Sequence, residues 1–128
     1  MTAHGDGWKL AVIDEIPPVK PDWPTTWKSV RHYFGILGFG INAVTKDEGS
    51  VLIPEHEHDE TGEQELYFIH RGEAMATLNG KQVRVPAGSA VAVEGPTRRK
   101  FEATASPTTL IVIGGTPDKA YEVGEWEK

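Results

Sequence analysis

Cysteine is absent from the 128-residue chain. Disulfides, thiolate metal ligands and thiol nucleophiles are excluded with it. Positive charge is scarce too, since 13 Lys and Arg face 19 Asp and Glu, a formal net charge of −6. A general nucleic-acid binder needs a basic face to displace counterions, so that class is not expected. The run Arg98-Arg99-Lys100 is too short to change this. No apolar run approaches the roughly 18 residues of a membrane-crossing helix. The opening MTAHGDGWKL lacks a basic-then-apolar signal segment, and a cytoplasmic protein without membrane contact is the expectation. Nucleophile elbows, phosphate loops and dinucleotide fingerprints are also missing. The stretch GILGFGI has spaced glycines, but strand signals rather than a helix follow it.

Turn formers are plentiful, with 14 Gly and 9 Pro, which suits an all-β chain better than a helical one. A short strand is expected at Trp8–Ile13. A proline-rich strap follows with Pro17, Pro18, Pro21 and Pro24, extended because proline fixes φ and lacks a ladder donor. Thr25-Thr26 ahead of WKSVRHYF, Val30 and Phe34 four apart, and a closing Gly35 predict one short helix. Strand signals then succeed one another: GILGFGINAVT with Phe39, Ile41 and Ala43 on one face, VLIPEHEH, ELYFIHRG, EAMATL, KQVRV, SAVAV, RKFEA and TTLIVI. Asn79-Gly80 between two of them is a hairpin signal, because both central positions favour positive φ. Around nine short strands at this spacing predict a sandwich or small barrel, with Tyr121 and Trp126 clamping a polar tail to the outside.

Of five histidines, three carry little. His4 lies in a terminus expected to be mobile, His32 in the expected helix, and His70 at a strand end. His56 and His58 differ. Two apart in an extended segment, they point to the same face and form a natural pair of metal ligands. Glu55, Glu57, Asp59, Glu60, Glu63 and Glu65 surround them.

The run from Gly49 to Gly72 resembles the first motif of the cupin superfamily: glycine, His-x-His, glutamate, then glycine six residues on. ELYFIHRGEA is similar to the cupin strand that carries a metal-binding glutamate. PAGSAVAVEGPTRRKF is similar to the second motif. VRHYFGI and IVIGGTPDKAYEVGEW extend the likeness to small bacterial cupins of uncharacterised type. The resemblance implies an all-β, jelly-roll antiparallel β-barrel with one short N-terminal helix. It divides one cupin domain, 1–128, into strap and helix (about 1–35), barrel (36–114) and tail (115–128). A homodimer is also implied.

The same resemblance implies a divalent metal, iron, manganese, zinc or nickel, on His56, His58 and Glu65. Two departures stand out. Six residues separate His58 from Glu65. Glu63 has the usual spacing from His58, but Glu65 has the right spacing to Gly72, so Glu65 is the better ligand and Thr61-Gly62 would bulge in the loop. The family's last histidine is replaced by Arg99, a permanent cation with donors only. Pointing inward, Arg99 would repel a metal or fork with Glu65 in its place. Pointing outward, it would leave Arg98 or Lys100 facing in.

If Glu65 faces the interior, alternation places Tyr67 and Ile69 beside it, and Phe101 shares the face of Arg99. Leu66, Phe68, Val91 and Val93 are expected between sheets or against a second subunit. The sequence thus supports a small-molecule pocket with Arg99, Tyr67 and Phe101 as substrate contacts. One reading is a metal-dependent enzyme of dioxygenase, isomerase or lyase type. The other is a metal-free binding module in which Arg99 replaces the metal's charge. A third has His56 as a general acid or base without metal.

Overall fold

The computed structural model describes residues 2–19 and 27–124. Branched and aromatic runs broken by turn formers give, among these residues, β1 Thr2–Gly5, β2 Trp8–Ala11, β3 Trp27–Ser29, β4 Gly40–Lys46, β5 Val51–His56 and β6 Gln64–Arg71. The remaining strands are β7 Glu73–Leu78, β8 Lys81–Pro86, β9 Ala90–Val93, β10 Arg99–Ala103 and β11 Thr108–Gly115. Two antiparallel sheets, ordered β5-β10-β7-β8 and β3-β4-β11-β6-β9, face each other, and β1-β2 form a separate hairpin. The expected Asn79-Gly80 turn joins β7 to β8, with φ of 50° and 83° at its two residues.

The main core fills the space between the sheets. Tyr67, Ile69, Leu110 and Val112 from one sheet meet Leu52, Ile53, Val85 and Phe101 from the other. The larger sheet is apolar on both faces. Ala43, Ile41 and Ile111 point outward, where Ile16, Val30, Tyr33 and Phe34 cover them. That cover is tied down by polar anchors. Lys28 Nζ donates to the carbonyls of Ile13 and Asp14 at 3.1 and 2.9 Å, and Arg71 Nη2 contacts both Asp14 oxygens at 2.9 Å.

Several expectations need correction. The helix, α1, is only Val30–Phe34. Ser29 is its cap, with Oγ accepting from the His32 N–H at 3.1 Å, and Gly35 closes it at φ 71°. Trp27–Ser29 instead pairs with β4, Trp27 opposite Val44. The gain from seating Trp27 against the core overrides the local helix pattern. The expected Thr25-Thr26 cap, Pro21, Pro24 and the Trp126 clamp lie outside the described residues. His4 belongs to β1, opposite Lys9, rather than to a loose end. Phe39 precedes β4 and is 43% exposed, so it does not join Ile41 and Ala43. Val91 and Val93 pair with Tyr67 and Glu65 and pack between the sheets, whereas Leu66 stays exposed on the outer face.

Candidate metal centre and its cavity

His56 ends β5, and its neighbour in the register of β10 is Arg99. Glu65 and Tyr67 lie two apart on β6, on the face turned to the opposite sheet. His58 sits in the intervening loop, where its N–H donates to the Gly95 carbonyl at 2.7 Å. Thr61 and Gly62 occupy the same loop, and Gly62 takes a positive φ of 69°, donating its N–H to the His58 carbonyl at 2.9 Å. The two inserted residues are thus absorbed before β6 begins, and Glu65 keeps its inward register.

Three ligand atoms, from His56, His58 and Glu65, lie within 4.8 Å of one another. Glu65 Oε1 is 3.3 Å from His58 Nε2 and 3.8 Å from His56 Nε2. Ligands about 2.1 Å from a tetrahedral ion stand about 3.4 Å apart, so these separations suit a shared ion with little movement. His56 Nδ1 sits 2.7 Å from the Pro54 carbonyl, to which it donates, and its Nε2 is the ring atom turned to Glu65. That is the usual way a ligating imidazole has its tautomer fixed. The two rings stand nearly perpendicular, at 81° with centroids 4.8 Å apart. Glu63 approaches the group from the loop, its Oε2 3.3 Å from His58 Nε2. The donor set therefore fits a divalent cation.

The electrostatics follow from the crowding. For Glu65 burial opposes ionisation. The His56 and His58 imidazoles and the Tyr67 hydroxyl, which donates to Oε1, outweigh it and hold the carboxyl well below the usual range. Its hydrogen bond to Glu65 raises His58, against the effect of burial. Burial pushes Glu63 upward, aided by the charge of Glu65. Burial and then the adjacent Glu65 likewise raise Tyr67.

Arg99 points inward and is wholly buried. It does not fork with Glu65. Nη1 stands 3.8 Å from Glu65 Oε1, an ion-pair rather than a hydrogen-bond distance, and Nη2 donates to the Glu94 carbonyl at 2.8 Å. Its Nε and Nη1 make no hydrogen bond.

A cavity of about 520 Å³ opens beside the three ligands. His56, His58, Glu63, Glu65 and Tyr67 line it, but Arg99 and Phe101 lie behind its wall. Phe101 is fully buried and stacks on Tyr67 with ring centroids 4.6 Å apart. The sequence reading missed Trp27, Asn42 and the tail. Tyr121, Glu122 and Gly124 line the cavity, so the tail forms part of its wall instead of merely wrapping the outside. Gly40 makes room for it, since a Cβ there would stand 2.9 Å from the Tyr121 ring. Gly40, Tyr121 and the strand Trp27–Ser29 come together only through the fold, so no local pattern announces them.

The two facing antiparallel sheets are those of the cupin fold, as comparison with solved structures shows. A cupin protein from Bacteroides fragilis matches with a TM-score of 0.67 at 16% identity, over 98% of this chain and 97% of that one. A predicted oxalate decarboxylase from Thermotoga maritima matches at 0.67 and 19% identity, over 84% of this chain and 98% of that one. A sugar phosphate isomerase of the cupin superfamily from Silicibacter pomeroyi matches at 0.60 and 21% identity, over 71% of this chain and 59% of that one. No protein-family model and no curated protein matches the chain. These similarities concern the fold, which does not choose a reaction.

Proposed function

We propose that the chain holds a divalent metal on His56, His58 and Glu65 and acts with it on a small molecule in the adjoining cavity. The convergence of those three ligand atoms on the cavity wall carries this reading. Two imidazoles and one carboxylate leave open positions, which suits iron, manganese, nickel or zinc. A bound ion would supply Lewis-acid polarisation of a substrate oxygen or, if redox-active, activation of dioxygen, which leaves dioxygenase, isomerase and lyase chemistry open. The protein's own groups do the rest. Pro54 and Tyr67 orient His56 and Glu65. Glu63, raised by burial and facing the cavity, is the group we assign to carrying a proton on its carboxyl. Untagged protein, purified without chelator and submitted to elemental analysis, is expected to carry close to one metal per chain. His56→Ala and His58→Ala should lose it. A metal-free chain that takes up no iron, manganese, zinc or nickel ion on addition would contradict the proposal.

A second reading is favoured by the buried Arg99 guanidinium 3.8 Å from Glu65. In it, Arg99 replaces the charge of a metal and the cavity is a binding site with Tyr67 on its wall. The same elemental analysis separates the two readings.

A further inference from the structure

Arg99 is a buried charge with little to balance it. Strand pairing sets it between His56 on β5 and Leu78 on β7, and its side chain has no exposed surface. Nη2 reaches the Glu94 carbonyl, while Nε and Nη1 make no hydrogen bond. A cation held in this way costs the fold stability, and an apolar side chain of similar length is expected to be tolerated in its place. Nor does Arg99 orient the ligands. Tyr67 donates to Glu65 Oε1 and the Pro54 carbonyl holds His56, whereas Nη1 stops 3.8 Å from that same oxygen. What reaches the site is its charge. An ion bound to Glu65 Oε1 at about 2.1 Å would lie within about 6 Å of Nη1, and like charges repel more strongly through protein than through water. A guanidinium is always protonated, so this repulsion is present whatever protons the neighbouring carboxylates carry.

We infer that Arg99 sets how tightly His56, His58 and Glu65 hold an ion, a built-in competitor that keeps the metal exchangeable. This rests on the proposed ligand trio and names the control on its occupancy. The test is calorimetric titration with Zn²⁺ of chelator-treated, untagged wild type, Arg99→Met, Arg99→Gln and Arg99→Lys. The two neutral variants are expected to bind Zn²⁺ at least about tenfold tighter than the wild type. Arg99→Lys keeps the charge and should stay within about threefold of the wild type. A side chain needed only for packing, or for placing Glu65, would give the opposite sign, with weaker binding in all three. Equal or weaker binding in the neutral variants overturns the inference, and so does equal tightening in Arg99→Lys. Either neutral variant that folds carries the comparison. If neither unfolds cooperatively in denaturant, the guanidinium is a support of the fold and the inference also falls. Zn²⁺ bound by the wild type, and no tighter by the neutral variants, sinks this inference alone. Zn²⁺ bound by the neutral variants but not by the wild type upholds it and sinks the metal reading. No heat of binding in any of the four sinks both.

Discussion

Glu65 Oε1 is the point on which the site turns, because one oxygen faces Tyr67, His58, His56 and Arg99 together. Tyr67 is buried, so Tyr67→Phe leaves the packing and removes one charge-assisted hydrogen bond. A loss of about 1.5–3 kcal/mol of stability is expected in denaturant titrations. The acid also shapes pH dependence in metal-free protein. Its lowered pKa gives stabilisation that is full above about pH 4.3 and fades as pH falls. The raised His58 gives stabilisation that is full below about pH 6.5 and fades as pH rises through its folded value. Both depend on Glu65. The stability of the wild type relative to Glu65→Gln should therefore peak between about pH 4.5 and 6.5. Glu63, raised by burial and by Glu65, works the other way: its cost is absent in acid and grows as pH rises to its folded value, lowering the neutral side. A flat difference in melting temperature across that range, measured with chelator present, would contradict the coupling.

Among the elements, β6 and its closing glycine set the register of the site. Gly72 follows β6 at φ 80°, and a Cβ there would meet Thr108 Oγ1 and stand 2.7 Å from Thr108 Cα. Gly72→Ala combines backbone strain with a clash against β11, and a loss of more than about 2 kcal/mol is expected in equilibrium unfolding. Gly80→Ala, also at positive φ but with nothing near its Cβ, should cost only about 1 kcal/mol. Strands such as β6 and the Asn79-Gly80 hairpin were legible in the sequence because their signals are local: alternation, branching and turn chemistry. Trp27–Ser29 was not, since its strand state depends on β4 and the core, fifteen or so residues away in sequence. His56 and His58 were legible as a pair because alternation in an extended segment puts both rings on one face, and Glu65 joined them only through the likeness of the run up to Gly72 to the cupin motif. Asn42, Trp27 and Tyr121 were not, because each reaches the cavity from a different part of the chain.

At the scale of the molecule, two sheets bury an apolar core and leave one end of the barrel open around a donor cluster. Ligand binding to the native state alone stabilises it, so a metal held there should raise the unfolding midpoint with the logarithm of its free concentration. Among the described residues no helix is long and apolar enough to cross a membrane. The most direct measurement is calorimetric titration of chelator-treated, untagged protein with Zn²⁺. One site per chain is expected, weakened at least about a hundredfold in His58→Ala while that variant keeps its fold by circular dichroism. Equal Zn²⁺ affinity in the wild type and His58→Ala, or no heat of binding in either, would show that the imidazoles and Glu65 do not form a metal centre.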